Sequence, residues 1–184
     1  MKKDFLIVVV LLFFGAFLFK GTKIQSVDDY YLTHIDDITP ESETVTLSIE
    51  AKTLLDNMDK LDENLRSEKY VPKNGVILKE TEVVLRNKDT VFDLLNRTTR
   101  YNKIQFDYQG SDNNSFGSNY IKGINYLYEF SAGPLSGWMY KVNGKFPAYG
   151  VSKYLAKDKD KIEIIYTCDL GRDIGGGFNN ESEK

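Results

Sequence analysis

The 184-residue sequence predicts an α+β domain, a mostly antiparallel sheet packed on one main helix and preceded by an N-terminal hydrophobic helix. Three observations carry this reading. Segments such as "VTLSIE" and "KIEIIYT" alternate apolar and polar residues with the period of half-buried strands. One segment, "DTVFDLLNRTTR", has the apolar spacing and the start signal of a helix. An unbroken apolar run, Phe5 to Phe19, stands apart from the rest at the N-terminus.

That run is preceded by Lys2 and Lys3 and ended by Lys20, the layout of an export signal. As a helix it would cover about 22 Å at ~1.5 Å per residue. This is short of a ~30 Å hydrocarbon core, but Lys20 can snorkel to extend the reach. Ala16-Phe17-Leu18 is a poor cleavage site, and no cysteine follows directly to take a lipid. The reading for residues 1–20 therefore favours an uncleaved signal-anchor over a cleaved signal peptide. The positive-inside bias puts Lys2 and Lys3 in the cytoplasm. It predicts a cell-membrane protein with a single N-terminal pass and an extracellular C-terminal domain, or a secreted one if the signal is cut. Residues 21–44 are polar and acidic and read as a stalk.

Residues 45–176 are expected to be the folded domain. Val45, Leu47 and Ile49 alternate with polar residues in a first strand. "AKTLLDNMDKLDENL" places Leu54, Leu55, Met58, Leu61 and Leu65 at helical spacing and predicts a helix. Pro72 and Gly75 mark a turn before the extended "VILKETEVVL". In "DTVFDLLNRTTR", Thr90 or Asp89 caps the helix, Asp93 lies in its first turn, and Val91, Phe92, Leu94 and Leu95 make the buried face. Strands then follow one another. Ile104, Phe106 and Tyr108 share one face, and Ile124, Tyr126, Tyr128 and Phe130 another. Trp138, Tyr140 and Val142 lead into Asn143-Gly144, a strong two-residue hairpin signal because both positions tolerate positive φ. Ile162, Ile164 and Tyr166 form the last strand. The tail "GRDIGGGFNNESEK" is expected to be loosely held, with 177–184 flexible.

The chemistry these residues support is narrow. The net charge of −3 gives no reason to expect nucleic acid as a partner. His34 is the only histidine and lies in the stalk, so a Ser-His or Cys-His pair within the domain is excluded. Cys168 is the only cysteine, which rules out an intrachain disulfide and a cysteine metal cluster; it reads as a small core residue. Asp158 and Asp160 in "KDKDK" read as a turn, and the acid that completes a calcium loop around Asp112 is missing. No catalytic residue, metal site or required cofactor is assigned, and the chain is not read as an enzyme.

What stands out is the aromatic density toward the C-terminus. Trp138, Tyr140, Phe146, Tyr149 and Tyr154 crowd around the Asn143-Gly144 turn. Two readings stand side by side: a sheet face buried in the core, or a half-wet ledge whose rings pack a ligand while OH and NH groups reach polar partners.

"GWMYKVNGKFPAYGVSKYLAKDKDKIEIIYT" resembles the bacterial transcobalamin-like C-terminal domains, in which Gly-Trp-Met-Tyr, Val-Asn-Gly and Ser-x-Tyr precede a charged turn and a strand ending in Tyr-Thr. "VTLSIEAKTLLDN", "VPKNGVIL", "DTVFDLLNRTTR" and "DLGRDIGG" are similar too, so the resemblance spans about residues 45–176. It implies a β-grasp-like fold and a domain that closes over one face of cobalamin or another corrinoid. The ligand-binding residues it implies are Trp138, Tyr140, Asn143, Gly144, Phe146, Tyr149 and Tyr154. The animal carriers supply the other half of the pocket from a large helical domain. A one-sided ledge here implies weak binding alone, or a second copy or surface protein that completes the site. The alternative function is a cell-surface protein–protein interaction or structural module with no small ligand.

Overall fold

The computed structural model describes residues 37–115 and 117–176. The expected membrane segment 1–20, the first part of the stalk and the tail 177–184 lie outside the described residues. Among the described residues no helix is long and apolar enough to cross a membrane. Of the stalk, residues 37–43 are described; all but one are exposed, and they carry one turn, in which Ser42 N–H donates to the Thr39 carbonyl.

Among the described residues the domain is α+β, with two sheets where the sequence predicted one. Strands β1 (Thr44–Glu50), β2 (Val76–Val84), β6 (Gly137–Val142) and β7 (Lys161–Thr167) form a four-stranded sheet in the order β2-β1-β7-β6. Strands β3 (Phe106–Gln109), β4 (Tyr120–Ile124) and β5 (Leu127–Tyr128) form a second sheet in that order. All pairings are antiparallel except the central β1–β7 pair, which is parallel from Thr46↔Lys161 to Glu50↔Ile165. One helix, α1 (Val91–Tyr101), shares its buried face with both sheets in a single apolar core. Val45, Leu47 and Ile49 of β1 and Ile162, Ile164 and Tyr166 of β7 enter that core in strict alternation.

The start of α1 follows the expected chemistry. Thr90 is the cap: its hydroxyl accepts from the Asp93 N–H while the Asp93 carboxylate accepts from the Thr90 N–H, a reciprocal box. Asp89 has a different task. Its carboxylate takes the Arg97 guanidinium at 2.7 Å, with both side chains almost wholly buried, and accepts from the Arg86 N–H. Arg97 also donates to the Val84 carbonyl, so this pair ties the helix to the end of β2.

Three expectations are corrected. The predicted helix over "AKTLLDNMDKLDENL" is a chain of short 3-10 turns, Lys52–Asp56, Met58–Lys60 and Glu63–Leu65. Only Ala51, Leu54 and Leu61 are fully buried, and Ala51 N–H is pinned to the Gly75 carbonyl. Its Asn and Asp side chains bond to nearby backbone instead: Asn57 to the Thr53 carbonyl, Asp62 to the Asn64 N–H. The strand expected through Ile124, Tyr126, Tyr128 and Phe130 is broken by a two-residue turn. Asn125 and Tyr126 both have positive φ, and Ile124 pairs directly with Leu127. Gln105 accounts for this unusual turn: its carbonyl accepts from Asn125 N–H and its side-chain oxygen from Tyr126 N–H. The third correction concerns Gly171–Gly176, the start of the tail expected to be loose, which is in fact folded onto the domain. Leu170 N–H donates to the Leu135 carbonyl, and Asp173 accepts from the Thr167 hydroxyl and the Cys168 N–H.

Breaking the buried pair leaves a charge without a partner in low dielectric. Arg97→Met is expected to cost about 3–5 kcal/mol in urea denaturation; a loss below about 1 kcal/mol, the scale of a surface pair, would contradict the burial.

Candidate functional site

The site forms along β6, the edge strand of the four-stranded sheet. Alternation sends Trp138, Tyr140 and Val142 into the core and Met139 and Lys141 to the other face. The backbone alternates as well. Asn143 N–H donates to the Lys161 carbonyl, and in this register the bonded pairs with β7 are Lys141, Met139 and Gly137. Val142, Tyr140 and Trp138 therefore turn their N–H and C=O groups to the free edge. Val142 spends its pair on the turn, in a double bond with Lys145 at 2.9 and 3.0 Å. Trp138 and Tyr140 present theirs to the edge itself.

Along that edge runs a cleft of ≈ 200 Å³. Asn119, Tyr120 and Ile121 at the start of β4 form one wall, and the loop from Phe146 to Val151 forms another. Because the cleft straddles the edge strand, it meets Trp138 and Tyr140 from the inner face and Met139 from the outer. Gly150 allows the loop to close in: a Cβ there would stand 2.2 Å from the Ser118 hydroxyl. Tyr120 brings a polar group, its OH donating to Glu129 at 2.8 Å. Burial and then that carboxylate hold the Tyr120 phenol well above its ordinary range.

Trp138, Tyr140 and Phe146 are thus brought together; the other proposed site residues are not among the cleft residues. Trp138 is only 6% exposed; its ring meets Tyr166 edge-on at 5.1 Å and its indole N–H donates to the Leu127 carbonyl at 2.7 Å. Its indole is chiefly a core element. Tyr140 is 9% exposed, and its OH donates to the Tyr149 carbonyl, pinning the loop. Asn143 and Gly144 make the expected two-residue turn, with φ of 51° and 76°. The turn closes a single bridge, however, and the strand that pairs with β6 arrives only at Lys161. Asn143 works as a clasp: its side chain donates to Asp160 and accepts from Lys161 N–H. Tyr149, 53% exposed, stacks on Tyr154 at 6.1 Å.

Sequence reasoning missed the β4 wall. Asn119 and Tyr120 follow a polar loop and carry no periodic signal, and only the tertiary fold brings them to β6. A second hollow of ≈ 440 Å³ includes Asn57, Leu135 and Cys168 in its lining. Burial, foremost, pushes the Cys168 thiol up, which suits a packed residue more than a reactive one. Among the described residues no group of three or more His, Cys, Asp or Glu could hold a metal ion.

Residues 88–167 match the model of a family described as a domain of unknown function, DUF4430. The match includes α1 and the whole cleft, while β1 and β2, outside it, complete the same sheet. No curated protein matches the chain. Among solved structures, haptocorrin in complex with Cbi matches at 13% identity and a TM-score of 0.48, over 73% of this chain and 27% of haptocorrin. The chain thus spans about a quarter of that protein's length.

Tyr140 supplies a test of the loop clasp. Burial, then the neighbouring Tyr149 and Tyr154, raise its phenol above the ordinary 10.0. Above pH 10 the unfolded chain therefore loses this proton first, so the neutral phenol's contribution is complete below pH 10 and declines as pH rises toward the folded value. Tyr140→Phe is expected to lose about 0.5–1.5 kcal/mol at pH 7 for the missing hydrogen bond. The gap to the unsubstituted chain should narrow above pH 10 in denaturation curves; a constant gap would contradict the assignment.

Proposed function

We propose that this chain is an exported, membrane-tethered, non-catalytic binding module whose cleft takes one edge of a corrinoid, or of a similarly flat ligand fringed with amides. The observation that carries this is the free edge of β6. It sets the N–H and C=O groups of Trp138 and Tyr140 beside apolar walls from Ile121, Phe146 and Val151. A ligand amide needs both a donor and an acceptor, and a strand edge offers them at fixed spacing. The resemblance of residues 45–176 to transcobalamin-like domains supports the ligand class. The strand order β2-β1-β7-β6 with its parallel central pair supports a β-grasp-like fold. The basic and apolar pattern from Lys2 to Lys20 supports the tether.

A cleft of ≈ 200 Å³ is small beside the ~300–1,000 Å³ of a site that engulfs its ligand. It accepts a rim, not a whole macrocycle, and leaves the opposite face of the ligand for a second copy or another surface protein. Within the site, Tyr149 and Tyr154 extend an aromatic shelf from the loop, and the Asn143-Gly144 turn holds the base of that loop.

The test is calorimetry of the full chain with cobinamide and cobalamin. Saturable heat at micromolar ligand is expected. No heat up to ~1 mM would limit binding to weaker than about −4 kcal/mol and favour a surface module that contacts protein instead.

A further inference from the structure

The Phe146 wall of the cleft is itself held from behind. After β7 the chain turns back over the outer face of the sheet, past Met139 and Lys141. Gly171 N–H donates to the Thr167 hydroxyl at 2.7 Å, and Gly176 N–H to the Gly171 carbonyl at 2.7 Å. Lys141 Nζ donates to the Ile174 carbonyl at 2.7 Å and lies 4.9 Å from the centre of the Phe146 ring. One side chain of β6 thus clamps both the returning segment and the wall.

Two glycines of this segment come against cleft residues. A Cβ at Gly171 would lie 2.6 Å from the Met139 sulfur, and one at Gly176 would lie 2.7 and 2.8 Å from Phe146 Cε2 and Cζ. Gly171 has a φ of 87°, so its backbone alone calls for glycine. Gly176 lies outside the left-handed region, so a side chain there meets no φ strain; it meets the Phe146 ring first and the Gly171 carbonyl oxygen less closely, at 3.2 Å.

We infer that Gly176 sets the width of the cleft. Having no Cβ, it lets the Phe146 ring lie back against the C-terminal segment; with one, the ring must move. Lys141 and the segment occupy the space behind it, so the room lies in the cleft. Gly176 is a positioning residue, acting on ligand only through Phe146. The ring's position follows from the contacts alone, whereas its effect on affinity rests on the ligand reading proposed above.

The experiment uses the full chain labelled with fluorophenylalanine, with the Phe146 signal assigned through Phe146→Leu. Gly176→Ala is compared with Gly110→Ala, where a Cβ meets nothing closer than 3.9 Å. Gly176→Ala is expected to shift the Phe146 signal and to weaken cobinamide binding by about tenfold or more, the scale of one misplaced methylene in a pocket. Gly110→Ala should do neither, melting should stay near that of the unsubstituted chain, and in a Phe146→Leu background Gly176→Ala should weaken binding little further. An unmoved Phe146 signal overturns the inference, as does unchanged affinity in a chain that binds cobinamide. A shifted signal in a chain that binds no cobinamide supports the role of Gly176 and counts against the ligand reading alone.

Discussion

The parallel pairing of β1 with β7 is the constraint on which the rest depends. It joins strands from opposite ends of the domain, Thr46 beside Lys161, so everything between them must leave the sheet and return. Such a contact carries a large loop-closure cost and must be fastened to persist. The fastening is the charged turn before β7. Asp158 accepts from Thr44 N–H at 2.8 Å, the Asp160 carbonyl accepts from Thr46 N–H, and Lys159 N–H donates to the Thr44 carbonyl. Buried Asp160 then reaches Asn143, which fixes where β6 ends. The edge position of β6, and with it the cleft, follows from this junction.

The aromatic residues divide their work by depth. Trp138 and Tyr166 form an edge-on pair in the core and make β6 rigid. Tyr140 spans the boundary, its ring inside and its OH on the loop. Phe146 closes the cleft; beyond it Tyr149 lies on the surface, stacked on Tyr154, which is half-buried against the core. Strands beneath a pinned loop give a site fixed backbone donors and acceptors beside a wall whose place is set by its contacts.

Elements whose pattern is local were legible in the sequence. β1, β7 and α1 carry alternation or capping that no distant contact overrides, and the Asn143-Gly144 turn needs only its own backbone preference. The misreadings share a cause. Leu54 and Leu61 have helical spacing, but they are anchors for a chain wrapping the core, and the intervening Asn and Asp residues favour turns. Tyr126 at positive φ is legible only once Gln105 is placed beside it. For the site, the aromatic cluster pointed to β6, but its depth was invisible. Whether Trp138 faces solvent depends on Tyr166 and Leu127, which pack on it from other strands.

If β6 offers an open backbone edge to a ligand, its amides must divide by register. Residue-resolved amide hydrogen exchange of the full chain, without and with cobinamide, tests it most directly. In the free chain the amides of Trp138 and Tyr140 should exchange much faster than those of Met139 and Lys141, and cobinamide should slow the first two selectively. Four amides equally protected in the free chain, or no selective change with cobinamide, would contradict it.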